Sequence, residues 1–493
     1  MKFQRQSGIL LHPTSLPGNH GIGTFGKEAY DFIDFLVEAG QKLWQILPLG
    51  PTGYGESPYQ CFSSIAGNPL LINLEKLQEE GWLRKSDIED HSGKLARYVD
   101  FDKVRKETLP LLKKAFVAFK PKAKNNKGFK TFCTQKAVWL DDFSLFVALK
   151  EEFRGKPWNL WPKAVRLRDE ETLEKYRLAL KEEIMYHKFV QYIFFKQWND
   201  VKAYANRNGI KIIGDIPLYV AYDSVDVWSK PENFLLDKNS LPQRVAGVPP
   251  DYFCATGQLW GNPVYDWEYQ EKDGFYWWIE RMWSSLELFD IIRIDHFRGL
   301  SAFWSVPYGE KTAVKGKWVH APGKKLFKTL INELGELPII AEDLGVMTKE
   351  VEELRDGFGF PGMKILQFAF DSEEGNNFLP HTYTENCVVY TGTHDNNTAL
   401  GWYQNASAKD RKSLKQYIGN LDDGVVKSMI RLAWASVADM AIIPLQDVLE
   451  LDEDARMNMP GTIDKNWLWK FRPKDLTHVH AEWLRKLTET YGR

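Results

Sequence analysis

Three carboxylates each close an apolar, β-branched run: Asp295 in Arg293-Ile294-Asp295-His296-Phe297-Arg298, Glu342 in Ala341-Glu342-Asp343-Leu344-Gly345, and Asp395 in Thr393-His394-Asp395-Asn396-Asn397. Asp215 closes a fourth such run, Ile210 to Asp215. Acids at the ends of separate strands converge most readily when the strands are parallel neighbours in one sheet or barrel. A pair of carboxylates about 5 Å apart, one a nucleophile and one a proton donor, is what a retaining glycoside reaction needs, whereas an inverting reaction leaves a wider gap for water.

The two roles divide by environment. Arg293 lies two positions before Asp295, and strand period two sends both side chains to one face. A guanidinium within reach favours the ionised carboxylate, so Asp295 is expected to have a depressed pKa and to act as the nucleophile. Glu342 leaves an apolar run that should bury its base, which favours the protonated form of a general acid. Taken singly, each acid could be a helix N-cap or a salt-bridge partner. His394 could equally be a core histidine bonded to backbone, but its adjacency to Asp395 favours a polar site.

The elements that must position these groups are legible as eight strand-length apolar runs: Gly8–His12, Lys42–Leu47, Ile210–Asp215, Asp290–Asp295, Leu337–Glu342, Met363–Phe368, Cys387–Thr391 and Met440–Leu445. Helical spacing fills Gly26–Glu38, Lys188–Asn206, Trp277–Leu288, Lys324–Leu334, Thr348–Asp356, Val425–Ser436 and Thr477–Tyr491. This alternation predicts an α/β fold, a (β/α)8 TIM barrel whose working residues sit at the C-terminal ends of the strands. The expected organisation is one catalytic domain, 1–493, with large, mainly helical insertions at about 59–183 and 221–276 above that face. Within the first, the basic stretch Lys120 to Lys130 reads as an exposed loop and its charges as a solvated face.

Composition narrows the partner. The 493 residues carry 64 basic and 66 acidic side chains, a formal net charge of -2, which gives a polyanion such as nucleic acid no electrostatic footprint. No apolar run suggests a leader peptide or a membrane span. The four cysteines, Cys61, Cys133, Cys254 and Cys387, are widely spaced, which makes a disulfide framework improbable and a reducing, cytoplasmic setting the default. His12 is followed by Pro13 and Thr14 rather than by a second histidine, and neither a zinc-binding HExxH nor a phosphate-binding loop occurs, so no metal or cofactor is expected. Of 19 tryptophans, eight fall between residues 228 and 318. An indole face packs against the C–H face of a pyranose. Most of the eight should be core; Trp260, in Gly257-Gln258-Leu259-Trp260-Gly261-Asn262-Pro263, is expected in a loop at the site.

These motifs resemble the 4-α-glucanotransferases, or amylomaltases, of glycoside hydrolase family 77 in the α-amylase clan. The resemblance runs nearly end to end, from Ser15-Leu16-Pro17-Gly18 and Leu47-Pro48-Leu49-Gly50-Pro51-Thr52-Gly53-Tyr54-Gly55-Glu56-Ser57-Pro58-Tyr59-Gln60 to Arg456-Met457-Asn458-Met459-Pro460-Gly461-Thr462. It implies Asp295 as nucleophile, Glu342 as acid/base and Asp395 as transition-state stabiliser. Arg293, His394, Asp215 and Tyr59 would line the donor sugar site, with Asp251, Trp260 and Asn262 also at the substrate. Gly247-Val248-Pro249-Pro250-Asp251 would be a mobile segment over the cleft. The family lacks the separate C-terminal β domain of α-amylases. Asp215-Ile216-Pro217-Leu218-Tyr219-Val220 ends in Tyr-Val where α-amylases typically carry Asn-His, which favours transfer over plain hydrolysis. Maltooligosaccharides and α-1,4-glucans are the implied partners of a monomer or weak homo-oligomer. The rivals are an α-1,4-glucan hydrolase on the same scaffold and a non-catalytic glucan-binding barrel.

Overall fold

The computed structural model describes residues 2–88, 96–250, 255–345, 347–370, 376–419 and 421–493. The described residues form twelve strands: β1 Gln6–Leu10, β2 Leu43–Gln45, β3 Lys211–Ile216, β4 Arg244–Val248, β5 Gln258–Pro263, β6 Ile291–Ile294, β7 Ala302–Pro307, β8 Lys317–His320, β9 Ile339–Ala341, β10 Gly362–Ile365, β11 Cys387–Tyr390 and β12 Met440–Pro444. Eight of them form one parallel sheet in the order β10-β11-β12-β1-β2-β3-β6-β9. The Ala341 amide donates to the Pro361 carbonyl at 3.0 Å, which draws β9 to the start of β10 and curls the sheet into the expected barrel. Each barrel strand coincides with one of the eight apolar runs, because strands covered on both faces read as continuous hydrophobic stretches.

Helices cover the outside. Lys27–Glu38, Tyr276–Leu288, Gly323–Leu334, Lys349–Gly357, Val425–Ala435 and His478–Tyr491 all match expected segments to within a residue or two. The longest, Lys181–Arg207, has 27 residues and extends about 40 Å at 1.5 Å per residue. Its buried Gln191 and Gln197 each make two hydrogen bonds to one residue's backbone, Gly67 and Asn73 respectively, at 2.8 to 3.1 Å. That helix therefore clamps the chain just beyond Tyr59. Gly67 is required there, since a Cβ would lie 2.2 Å from the Phe194 ring.

The first insertion is helical as expected, with one difference. Lys120 to Lys130 is not a loop: a 3-10 turn, Lys120–Asn125, leads into the helix Lys127–Gln135. Asn126, which looked like a loop residue, is the N-cap that accepts from the Phe129 amide at 2.8 Å. The second insertion adds something the sequence reading did not contain, an antiparallel sheet ordered β5-β4-β7-β8. Two of its strands come from the insertion and two from the connection between β6 and β9, so each outer pairing is local and the central one, β4 with β7, is non-local. Among the described residues no helix is long and apolar enough to cross a membrane.

Candidate active site

Parallel register assembles the first pair of groups. Asp215 of β3 pairs with Arg293 of β6, so both side chains leave the barrel wall at one level. The Arg293 guanidinium donates to Asp215 Oδ2 at 2.6 Å and to Asp295 Oδ1 at 3.0 Å. Arg293 and Asp215 are buried. Burial opposes the Arg293 charge, but Asp215 and Asp295 outweigh it and hold the guanidinium firmly protonated.

Asp295 stands directly beyond β6, and its amide donates to Ile216 O at 3.0 Å. Its pKa is raised, not depressed as expected, although 29 % of its side chain is exposed. Burial is the larger cause, Arg293 opposes it, and the charges of Asp215 and Asp395 add to it. Sequence spacing showed the cation but not the enclosure.

Glu342 follows β9, the neighbour of β6. Its two oxygens accept from the His296 amide at 2.7 Å and the Leu344 amide at 2.9 Å. Its pKa is also raised, by burial first and by the Asp295 charge second, against Arg293 and those two amides. The His296 amide can reach because His296 adopts left-handed backbone, φ 53°, an uncommon state for a non-glycine residue that clusters at functional sites. Gly299 leaves room for the His296 ring: a Cβ there would meet His296 Cδ2 at 3.0 Å and Leu218 Cδ2 at 2.3 Å. Burial and the neighbouring Arg298 push the His296 pKa down to about 3, so the imidazole is neutral.

Asp395 lies beyond β11 and is the one acid of the three with a lowered pKa, about 2. Burial would raise it; His394 at 3.3 Å and the Asn458 amide at 2.6 Å reverse the sign. The His394 pKa is raised in turn, Asp395 overcoming burial. Tyr59 stacks on His394, ring centroids 5.1 Å apart at 17°, and donates its hydroxyl to Asp215 Oδ2 at 2.9 Å. One ring thus ties the Asp395 side of the site to the Asp215 side.

Trp260 lies on strand β5 rather than in a loop, and its indole meets the His296 ring edge to face at 4.7 Å. Asn262 of the same strand is buried; its amide donates to Val220 O at 2.8 Å and its oxygen accepts from Gln60 at 3.3 Å, tying β5 to the Tyr59 loop. Asp251 lies outside the described residues, as does part of the expected mobile segment. Sequence reasoning passed over Asn458, His296 and Arg456. Arg456 donates to the Asp395 backbone oxygen at 2.6 Å. Arg456 and Asn458 sat in a motif quoted for the resemblance, but neither type announces catalysis when met alone. Among the described residues no group of three or more His, Cys, Asp or Glu side chains could hold a metal ion.

The family model for 4-α-glucanotransferases, glycoside hydrolase family 77, matches residues 11–477. The chain belongs to the 4-α-glucanotransferase family. It is 52 % identical to the 4-α-glucanotransferase of a Synechocystis strain over all of this chain and 99 % of that one. It is 49 % identical to the Thermus thermophilus 4-α-glucanotransferase, with both chains covered completely. The amylomaltase of Streptococcus agalactiae, solved with acarbose, superposes with a TM-score of 0.97 at 45 % identity, over 99 % of this chain and all of that one. The chain is thus an enzyme of a glucan-acting transferase family, on the barrel that its sequence predicted.

Proposed function

We propose that this enzyme transfers a segment of an α-1,4-glucan to the 4-hydroxyl of an acceptor glucan or glucose by retaining double displacement. Asp295 attacks the anomeric carbon while Glu342 gives its proton to the departing oxygen, forming a β-glycosyl ester. The acceptor hydroxyl then gives its proton to Glu342, attacks the anomeric carbon and releases Asp295, which restores the α-linkage. The observation that carries the reading is the pairing at the ends of β6 and β9: Arg293 donates to Asp295, and the Asp295 charge helps to raise the Glu342 pKa.

That pairing supplies the proton cycle. Ionised Asp295 keeps Glu342 protonated, as a general acid requires. Once Asp295 is consumed in the ester its charge vanishes, the Glu342 pKa falls, and the same carboxylate becomes a base for the acceptor. Asp395, kept ionised by His394 and Asn458, faces the flattened cationic transition state, where a hydrogen bond stronger than in the ground state accelerates the reaction. Tyr59, His394, Asp215 and Arg293 line the donor sugar, with Trp260 and Asn262 beside it.

Full-length likeness to 4-α-glucanotransferases supports transfer over hydrolysis. Maltotriose alone tests it. Transfer produces free glucose beside a ladder of longer maltooligosaccharides at constant total reducing ends; rising reducing ends would make the protein a hydrolase, and no change a binding protein. We assign the whole chain to one catalytic unit, a monomer or weak homo-oligomer. The unpaired thiols Cys61, Cys133 and Cys387 support a cytoplasmic setting.

A further inference from the structure

A buried carboxylate outside the donor site spans the loop that carries Asp395. Asp447, in the short helix Leu445–Val448 that follows β12, is 1 % exposed. Its Oδ2 accepts from the Thr391 hydroxyl at 2.5 Å and its Oδ1 from the Ala399 amide at 2.7 Å. Thr391 is the first residue after β11, and Ala399 is the first residue of the helix Ala399–Asn405. The two hydrogen bonds therefore fasten both ends of one connection, whose middle carries His394 and Asp395.

The middle of that connection is held by Arg456 and Asn458, whose groups donate to Asp395 and to the His394 backbone oxygen, and the rest is braced from within and from Gln367. The Thr393 amide and hydroxyl both donate to Asn396 Oδ1 at 2.9 Å, and Gln367 donates to Asn397 O at 2.8 Å. The neighbouring Gln446 donates to Ala455 O at 3.2 Å, close to Asn458, the residue that holds the Asp395 carboxylate. A buried acid without a cationic partner is expensive to keep, and burial raises the Asp447 pKa to about 6. Two N–H or O–H donors at the termini of a single loop are what it gains.

We propose that Asp447 is a positioning residue for transfer, acting through the 391–399 connection to set His394 and Asp395 against the donor sugar. The inference rests on the role given above to Asp395. Asp447→Ala leaves the Thr391 hydroxyl and the Ala399 amide unsatisfied and takes one side-chain anchor from each end of the loop, leaving Gln367 as the outside contact to Thr391 O and Asn397 O. Because Asp395 acts in the transition state, kcat should fall at least tenfold while KM for maltotriose stays within about twofold. Asp447→Asn keeps an acceptor for Ala399 and an amide for the Thr391 oxygen, so kcat should stay within about threefold of the parent.

Thr391→Val removes one anchor without changing side-chain shape and keeps the test alive if Asp447→Ala does not fold; it should lower kcat about threefold or more at unchanged KM. Leu484→Ala, a core truncation in the helix His478–Tyr491, which among the described residues makes no hydrogen bond to the 391–399 connection, controls for lost stability and should leave kcat unchanged. Parent-like kcat in Asp447→Ala or in Thr391→Val, or an Asn variant as impaired as the Ala variant, overturns the inference. Asp395→Asn separates the two levels: if it is inactive while Asp447→Ala is normal, only this inference fails, and if it is active the role of Asp395 fails first.

Discussion

Replacing Arg293 by Met removes one cation from between two acids. Arg293 and Asp215 are almost completely enclosed, at 3 % and 0 % of their side chains, and Asp295 is 29 % exposed. Breaking a buried ion pair from one side leaves an uncompensated charge and destabilises by about 3 to 5 kcal/mol; the enclosed Asp215 contributes most of that, and the part due to Asp295 is screened. Unfolding entropy near 2.1 cal/mol/K per residue over 493 residues is about 1 kcal/mol/K, so the loss corresponds to a Tm lower by about 3 to 5 °C. The sign with pH follows from Asp295. Its folded pKa is already above the ordinary carboxylate value, and without Arg293 it rises further. An acid whose folded pKa is raised destabilises the folded state above that pKa and ceases to do so as pH falls below its unfolded value. The deficit in Tm should therefore shrink as the buffer is taken from neutral to acid. Activity needs ionised Asp295, so the acid limb of kcat/KM should move to higher pH. Differential scanning calorimetry between pH 4 and pH 8 and initial transfer rates over the same range measure both. An Arg293→Met variant with parent Tm at neutral pH and an unmoved acid limb would refute the reasoning. Arg293→Lys should rescue only partly, because a compact ammonium cannot bridge two carboxylates as a planar fork does.

The remaining predictions concern single contacts. Tyr59→Phe keeps the ring stacked on His394 but loses the bond to Asp215; a hydrogen bond to a charged group contributes about 1.5 to 3 kcal/mol to stability, so Tm should fall by about 1.5 to 3 °C by calorimetry and kcat/KM for maltotriose should drop with it, and Tyr59→Ala should lose more of both. Asn458→Ala strips the Asp395 carboxylate of its 2.6 Å donor and should lower kcat by about 10- to 100-fold, read from maltotriose disproportionation. Glu342→Gln should remove the alkaline limb of the pH profile and spare the first step for a glycosyl fluoride donor, whose leaving group needs no proton. Gly299→Ala should destabilise and slow the enzyme together, since the added methyl would sit 2.3 Å from Leu218 Cδ2.

How much of this was legible in the sequence depended on burial pattern. Barrel strands such as Ile291–Ile294 and Cys387–Tyr390 are apolar at nearly every position because both faces are covered, and they stood out. Strands β4, β5, β7 and β8 mix Arg, Gly, Trp, Ser and Lys, are joined across a long separation only by β4 against β7, and carry a register shift between Val245 and Gly247, so no period revealed them. Asp295, Glu342 and Asp395 were legible as candidates because a carboxylate at the end of an apolar strand is conspicuous, and the barrel brings them to one face. Asn458 was not, since its role exists only through the Asp395 oxygen that it meets. The Asp295 pKa was misread in direction for a similar reason: spacing reports the partner two residues away, while burial and the charges of Asp215 and Asp395, far off in sequence, act only once the chain has folded.

The central claim is that Asp295 becomes covalently glycosylated. The most direct measurement is intact mass and peptide mapping of Glu342→Gln after mixing with α-maltosyl fluoride, where loss of the acid/base slows turnover of the ester. The account predicts a single maltosyl adduct on the peptide that contains Asp295, absent from Asp295→Asn. An adduct on Asp395 or Asp215, or sustained transfer by Asp295→Asn, would contradict it.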